Sequence, residues 1–402
     1  MQINSLKEFI SNKKILTFLL GTFLFMINIS VSYTVVPVYL ASQNFNLTQI
    51  GISTTVYSLS AIFLRILLGP IADTKGRKFP LLISSFSFVI SWLLIWLAPS
   101  YELHLIARIF QAIGLAMYMS TAISVVSDIA SQKVLGGSMG IYRGFVALGF
   151  ILGPVLAFAL IEISFPTLFI ATIIISIISF TLLTFLPETK TSFNNHNQNK
   201  SSKNYQVLLK NPRLLRYYLA VMTATCGFGI VSTNSALFLK TLDQVISPSI
   251  FLFFLGFLGM LSSLFGGKLI DKYGLKKVII PGSLLALSGF LAMAFVESTG
   301  NLALIVVILA MGLGTNSIVV ASITGIDKET SKELKATSFA IEECSYDGGF
   351  ALGNMLFGFL VLSFGYSYGF LIIGLLLAIS YLGIFIWDYR IKNKGKINKY
   401  TN

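Results

Sequence analysis

Charge is scarce in this chain: Asp, Glu, Lys and Arg make up only 11% of its 402 residues. A soluble domain carries about 25%, so a hydrated globular surface is excluded. Histidine and cysteine are scarcer still. His104 and His196 are the only histidines, they lie far apart, and neither has a nucleophile or metal-ligand partner at a workable spacing. Cys226 and Cys344 are the only cysteines, which excludes a disulfide framework and a zinc site and leaves them as small packing residues. No phosphate-cradling G-x-x-x-x-G-K-[ST] loop occurs, so ATP drive within this chain is not expected. The expectation is a non-enzyme with no metal and no cofactor.

What is present in excess is apolar. Hydrophobic residues reach 55% and mean hydropathy is +0.82. Apolar runs of ~20 residues, enough to cross ~30 Å of hydrocarbon as a helix, recur along the whole length. Their continuity selects helices over the alternating strands of a barrel. Twelve spans are predicted, at 15–41, 49–71, 79–98, 103–128, 139–163, 167–186, 214–241, 248–270, 278–297, 302–326, 336–364 and 368–388. A net charge of +13 would raise nucleic-acid binding on a soluble protein, but its distribution argues against that partner. With both termini inside, 25 of the 29 Lys and Arg fall in inner loops, tails or inner helix ends, the others being Arg65, Arg108, Arg143 and Lys240. Outer loops and their flanks hold Glu102, Glu162, Asp243 and Glu297. This positive-inside bias predicts a multi-pass plasma-membrane protein with both termini cytoplasmic. The apolar run from Ile15 to Leu40 is too long for the core of a cleaved signal, and no clear small-residue cleavage site follows.

The chain repeats itself. GPIADTKGRK (Gly69–Lys78) and GKLIDKYGLK (Gly267–Lys276) share Gly, Asp, Gly and Lys at a shift of 198 residues. Ser138–Pro154 lies without a gap on Ser338–Asn354 at a shift of 200. Two segments reporting nearly one offset predict an all-α membrane protein of two pseudo-symmetric six-helix bundles. A polar stretch from Thr191 to Gln206, rich in Asn, Ser and Lys, reads as a flexible cytoplasmic connection. The expected division is 1–190 for the first bundle, 191–212 for the linker and 213–402 for the second.

These motifs resemble the major facilitator superfamily over essentially the whole chain, and most closely its twelve-span drug-and-metabolite:proton antiporters. The loop signature G-x-L-A-D-x-x-G-R-K-x-x-L is met by Gly69, Ile71, Ala72, Asp73, Gly76, Arg77, Lys78 and Leu81, with Thr74 where an Arg usually follows the Asp. Gly76 permits the tight reversal, and Asp73 suits a helix N-terminus, whose dipole favours an anion. The resemblance implies that Asp73 latches onto the start of the eleventh span near Lys335, with Arg77 paired to Asp128. Asp271 and Gly274 mark the repeat of this loop.

In the fourth span, Arg108, Gln111 and Gly114 match the family's R-x-x-Q-G-x-G, with Ala112 at the first glycine. An arginine within an apolar helix is costly unless it faces water or a partner. The resemblance ties it to proton coupling; the alternative is an arginine snorkelling to the outer interface. Gly140, Gly149, Gly153 and Pro154 in the fifth span resemble the helix-bending signature of antiporters, with Ala157 where another glycine is usual. Glu342, Glu343 and Asp347 are the only carboxylates clearly inside a span. Glu343 and Asp347, one turn apart, share a helix face, so they are candidates for proton or substrate coupling. Under the repeat Arg143 is the counterpart of Glu343, and an ion pair between them is one expectation; a solvated inner helix end is another. The first span has no acid, unlike many relatives. It offers Asn28, Ser32, Tyr33 and Thr34. Tyr33, Tyr118, Asn234, Thr315 and Asn316 join Asn28 as candidate cavity groups.

The expected function is alternating-access export of a small organic molecule, driven by proton antiport, by a monomer whose partners are its substrate, protons and the lipid bilayer. Three alternatives share the sequence: an importer or uniporter, an exporter of one amphoteric metabolite such as a siderophore-like metallophore, and a non-transporting membrane sensor.

Overall fold

The computed structural model describes residues 4–97, 100–189, 201–240, 242 and 246–400. Every regular element among them is helical: α1 Leu6–Ser11, α2 Lys13–Ser42, α3 Leu47–Leu68, α4 Ile71–Lys75, α5 Lys78–Leu97, α6 Tyr101–Ile129, α7 Leu135–Ile161, α8 Phe165–Thr184, α9 Ser201–Lys210, α10 Pro212–Lys240, α11 Pro248–Tyr273, α12 Lys276–Ala292, α13 Val296–Thr299, α14 Asn301–Glu329 and α15 Lys335–Tyr400, with two short 3₁₀ turns. Among the described residues eleven helical stretches are long and apolar enough to cross a membrane. The last, 58 residues from Lys332 to Tyr389, breaks at Gly365, whose φ of 80° lies outside helical space. The break falls between the eleventh and twelfth predicted spans, so twelve crossings result. The chain is an all-α, multi-pass membrane protein.

Helix starts are written in local chemistry. The Asn12 side chain accepts the Lys14 and Ile15 N–H groups. Asn46 and Gln49 form a reciprocal capping box, with bonds of 2.9 and 3.1 Å. Ser164 and Ser247 cap α8 and α11, each followed by a proline in the first turn, where its missing N–H costs nothing.

The expected flexible connection needs correcting in part. Residues 191–200 lie outside the described residues, but Ser201–Lys210 is a helix rather than a coil. Composition averaged over the polar stretch hid the apolar Val207, Leu208 and Leu209 at its end, and Leu208 is 4% exposed.

The chain forms two compact units. The first comprises Met1–Ser138, Tyr142–Ser201 and Lys332–Ala340; the second comprises Met139–Ile141, Ser202–Ser331 and Ile341–Asn402. Inside the first, Phe25 stacks on Tyr118 at 3.8 Å and meets Phe88 edge-on at 5.0 Å. A Cβ on Gly149 or Gly153 of α7 would come within 2.6 Å of Met26 or Ser30 on α2, so these glycines set how closely the two helices approach. In the second unit Gly353 of α15 holds the same relation to Cys226 of α10, where a Cβ would lie 2.7 Å from the Cys226 carbonyl. Its core is a ring cluster of Phe238, Phe290, Phe357 and Phe370. Large apolar side chains such as Phe63, Val155 and Leu362 point outward at 61–88% exposure, a surface that hydrocarbon tolerates and water does not.

Candidate functional site

Arg108 sits seven residues into α6, about 10 Å along the helix from its start, and is 1% exposed. Its Nη1 donates to Ser32 Oγ at 2.8 Å and to Gln111 Oε1 at 2.6 Å. Ser32 donates to the same Gln111 oxygen at 2.6 Å. The Arg108 Nε reaches the Ser53 carbonyl at 3.4 Å, and the guanidinium lies 4.4 Å from the Tyr57 ring centroid. No carboxylate among the described residues pairs with it. Snorkelling is therefore not its solution: the charge is turned into helix packing by α2, α3 and α6. Tyr33 packs edge-on to Tyr57 at 5.0 Å and is 40% exposed.

A second cluster surrounds the turn between α4 and α5. Gly76 holds φ at 91°, and a Cβ there would press into the Glu188 carboxyl, 2.6 Å from its Cδ. Glu188 accepts the Arg77 N–H at 2.8 Å and the Lys78 N–H at 3.2 Å, capping α5. Arg77, fully buried, donates to Asp73 and Asp128, both at 2.9 Å. Burial opposes its charge, yet the Asp128 and Asp73 carboxylates outweigh that and hold its pKa above the ordinary arginine value. Asp73 also accepts the Ala336 and Thr337 N–H groups at 3.0 and 2.8 Å and the Thr337 hydroxyl at 2.7 Å. Gly69 caps the end of α3.

The repeat of this turn in the second unit has diverged. Gly274 ends α11 at φ 87°, but Leu275 stands where the first repeat has Arg77. The charges are carried elsewhere. Asp388 takes both Arg216 and Lys276, and Glu329 takes Arg213 and Arg216 at 3.7 and 3.6 Å. Asp271 lies in the last turn of α11.

The remaining predicted residues fall in different places. Glu342 and Glu343 are 0% and 3% exposed, and Asp347 is half-buried, which overturns the expectation of a solvated helix end for Glu342. Arg143 is buried at 7% exposure. Gly140 belongs to the second unit, where a Cβ would meet the Ser263 carbonyl and come within 3.2 Å of Gly267 Cα; Pro154 lies inside α7. Asn28 accepts the Trp92 indole N–H at 3.1 Å, and Tyr118 donates to Thr22 at 3.0 Å. Both are fully buried, so they are packing bonds rather than cavity groups. Asn234 donates to Asn354 at 2.8 Å, and the two line a cavity of about 490 Å³ with Tyr366 and Phe359. Thr315 is buried, and Asn316 packs on Gly259. Sequence reading missed Tyr57, Glu188 and Asp388. The last two stand 200 residues apart, the same offset as the repeat, and that was the signal available.

The sequence profile described as Major Facilitator Superfamily matches residues 18–263 and 243–399. The riboflavin transporter RibZ of Clostridioides difficile (strain 630) is 28% identical over 171 residues, covering 42% of this chain and 38% of that protein. The quinolone resistance protein NorA of Staphylococcus aureus (strain Mu50 / ATCC 700699) is 22% identical over 235 residues, covering 58% and 60%. The chain thus spans between 38% and 60% of the length of these curated relatives. The crystal structure of the transporter FucP shares the fold, with a TM-score of 0.77 at 16% identity over 94% of this chain and 99% of that one.

Proposed function

We propose, from the premise that the chain belongs to the Major Facilitator Superfamily and is a membrane transporter rather than an enzyme, that it exports a small organic molecule across the plasma membrane by proton antiport, with both termini cytoplasmic. The observation that carries the reading is Arg108: a cation buried within a span, hydrogen-bonded to Ser32 and Gln111, with no carboxylate partner among the described residues. Burying such a charge costs at least ~2.5 kcal/mol without a compensating partner, a cost that packing alone has no reason to sustain. Similarity to NorA and the antiporter-like run Gly140, Gly149, Gly153, Pro154 support export over uptake. The proton is carried among the buried acids Glu342 and Glu343 and the half-buried Asp347. Asp73, bonded to the first turn of α15, acts as an inner-face latch that must release in each cycle, and Arg77 and Asp128 hold it in place.

The test uses everted membrane vesicles holding an interior-acid pH gradient read by a pH-sensitive dye. A quinolone and riboflavin, suggested by the two relatives, serve as probes. A transported probe should dissipate the gradient, and an ionophore that collapses the gradient should slow its uptake at least tenfold. Uptake equally fast after collapse would refute proton coupling and leave a uniporter. Flux toward the cytoplasm in intact cells would make the protein an importer.

A further inference from the structure

The donors around Arg108 are not all used. The Gln111 amide is oriented by two donors on its oxygen, Arg108 Nη1 and Ser32 Oγ, each at 2.6 Å. Its Nε2 is therefore turned away, buried, and bonded to nothing among the described residues. The Ser53 hydroxyl is likewise buried and unbonded. Arg108 Nη2 makes no hydrogen bond to a described residue either. A buried donor left unmet costs ~1–3 kcal/mol, and two lie here, Gln111 Nε2 and Ser53 Oγ, beside one uncompensated positive charge. The described acids of the first unit sit before or toward the ends of its spans: Glu8, Asp73, Asp128, Glu188 and Glu333 at one side, Glu102 and Glu162 at the other. Beside the donors lies aromatic surface, Tyr57 under the guanidinium and Tyr33 edge-on to Tyr57 at 5.0 Å.

We propose that Arg108, the Gln111 amide and the Ser53 hydroxyl receive the carboxylate of a planar aromatic substrate. This rests on the transporter reading above and names the substrate class for that site. One carboxylate matches the single positive charge. Its two in-plane oxygens accept from the Arg108 Nη2 and Gln111 Nε2 groups, a charge-assisted geometry that arginine's fork favours. The ring then lies against Tyr33 and Tyr57. Tyr33, 40% exposed, is the outermost member and moves aside to admit the ligand. A neutral ring would leave these donors unmet, so discrimination against it follows from the same geometry.

The test is equilibrium binding to the full chain in nanodiscs, with no pH gradient, of a panel of aromatic acids each paired with its methyl ester. At least one acid should bind about ten- to hundredfold more tightly than its ester, the range expected for a hydrogen bond to a charged group. Arg108→Gln should abolish that preference. Gln111→Glu places the protein's own carboxylate beside Arg108 at nearly constant volume, and should abolish it too. The second variant decides the matter if Arg108→Gln does not fold. A panel in which no acid outperforms its ester overturns the proposal, as does a preference that survives Gln111→Glu. Loss of acid binding to added chloride with no acid–ester difference assigns the site to an inorganic anion and also overturns it. Because no gradient is present, failure here leaves proton antiport standing, and failure of gradient dissipation leaves carboxylate binding standing.

Discussion

Replacing Asp73 by Asn isolates the charge of the proposed latch while keeping its shape. Helix α15 starts at Lys335, so the Ala336 and Thr337 N–H groups belong to the first turn and have no acceptor within the helix. Asp73 supplies one, at 3.0 and 2.8 Å, and takes the Thr337 hydroxyl at 2.7 Å and Arg77 Nη1 at 2.9 Å. One carboxylate oxygen faces Ala336 and Arg77, the other faces Thr337. An amide has only one oxygen, so in either orientation its NH₂ confronts a backbone donor. The variant loses an anion at a helix N-terminus, ~0.3–2 kcal/mol, and leaves one buried N–H unmet, ~1–3 kcal/mol. Together these give about 1.3–5 kcal/mol, or a roughly ten- to five-thousandfold rise in the local opening constant. Hydrogen–deuterium exchange of the nanodisc-embedded protein, resolved to the Ala336 and Thr337 amides by fragmentation mass spectrometry, reads that constant directly. Exchange at those amides should accelerate by that factor while amides inside α12 stay unchanged. Acceleration below threefold would refute the idea that Asp73 holds this helix end.

Three further outcomes follow from the neighbouring contacts. Glu188→Gln weakens the cap over Arg77 and Lys78 N–H and should cost ~1 kcal/mol, lowering the melting temperature by about 1–4 °C in scanning fluorimetry; an unchanged melt would show the cap to be incidental. Gly76→Ala meets both a φ of 91° and the Glu188 carboxyl, so it should cost more, ~1–3 kcal/mol. In a Glu188→Ala background its cost should fall, because only the backbone strain remains, and strict additivity in the double-mutant cycle would contradict the contact. The pKa of Arg77 is held above its ordinary value, so its contribution is fully present at every pH below that ordinary value and is lost only as pH rises past the raised one. The melting gap between wild type and Arg77→Gln should therefore be flat from pH 7 to pH 10, and a gap that closes in that window would place the cation elsewhere.

What was legible in the sequence followed from periodicity and composition. Span positions emerged from continuous apolar runs, and the break near Gly365 fell in the predicted gap because glycine tolerates a φ of 80°. The Asp73 and Arg77 positions came from a motif and Asp128 from its place at the end of the fourth predicted span, and the structure brings those three together. Side-chain facing was not legible. Asn28 and Tyr118 looked like cavity groups because they are polar within apolar helices, yet Trp92 and Thr22, each on another helix, take up their hydrogen bonds. Tyr57 carried no signal, since one tyrosine in an apolar span is ordinary until the neighbouring helix sets a guanidinium 4.4 Å from its ring. The helix Ser201–Lys210 was missed because a window dominated by Asn and Ser outweighed the few apolar residues at its end.

The two repeated turns show why a duplicated scaffold need not be chemically symmetric. Both keep glycine at positive φ, at Gly76 and Gly274, because the backbone reversal admits little else. Both keep an acid at the end of the sixth span of their half, Glu188 and Asp388, 200 residues apart. The difference lies at one position. Arg77 directs the first cluster inward to Asp73 and Asp128, so it is buried. With Leu275 in its place, the acid at Asp388 turns to Arg216 and to Lys276, whose side chain is 48% exposed. The Lys276 pair, half-exposed on the lysine side, contributes ~0–1 kcal/mol and weakens with salt, whereas the buried first cluster is shielded from it. Hydrogen exchange measured at low and high salt should therefore separate the two turns: the amides following Gly274 should lose protection as salt rises, and those following Gly76 should not. Equal salt sensitivity would mean that the single change from Arg to Leu does not account for the divergence.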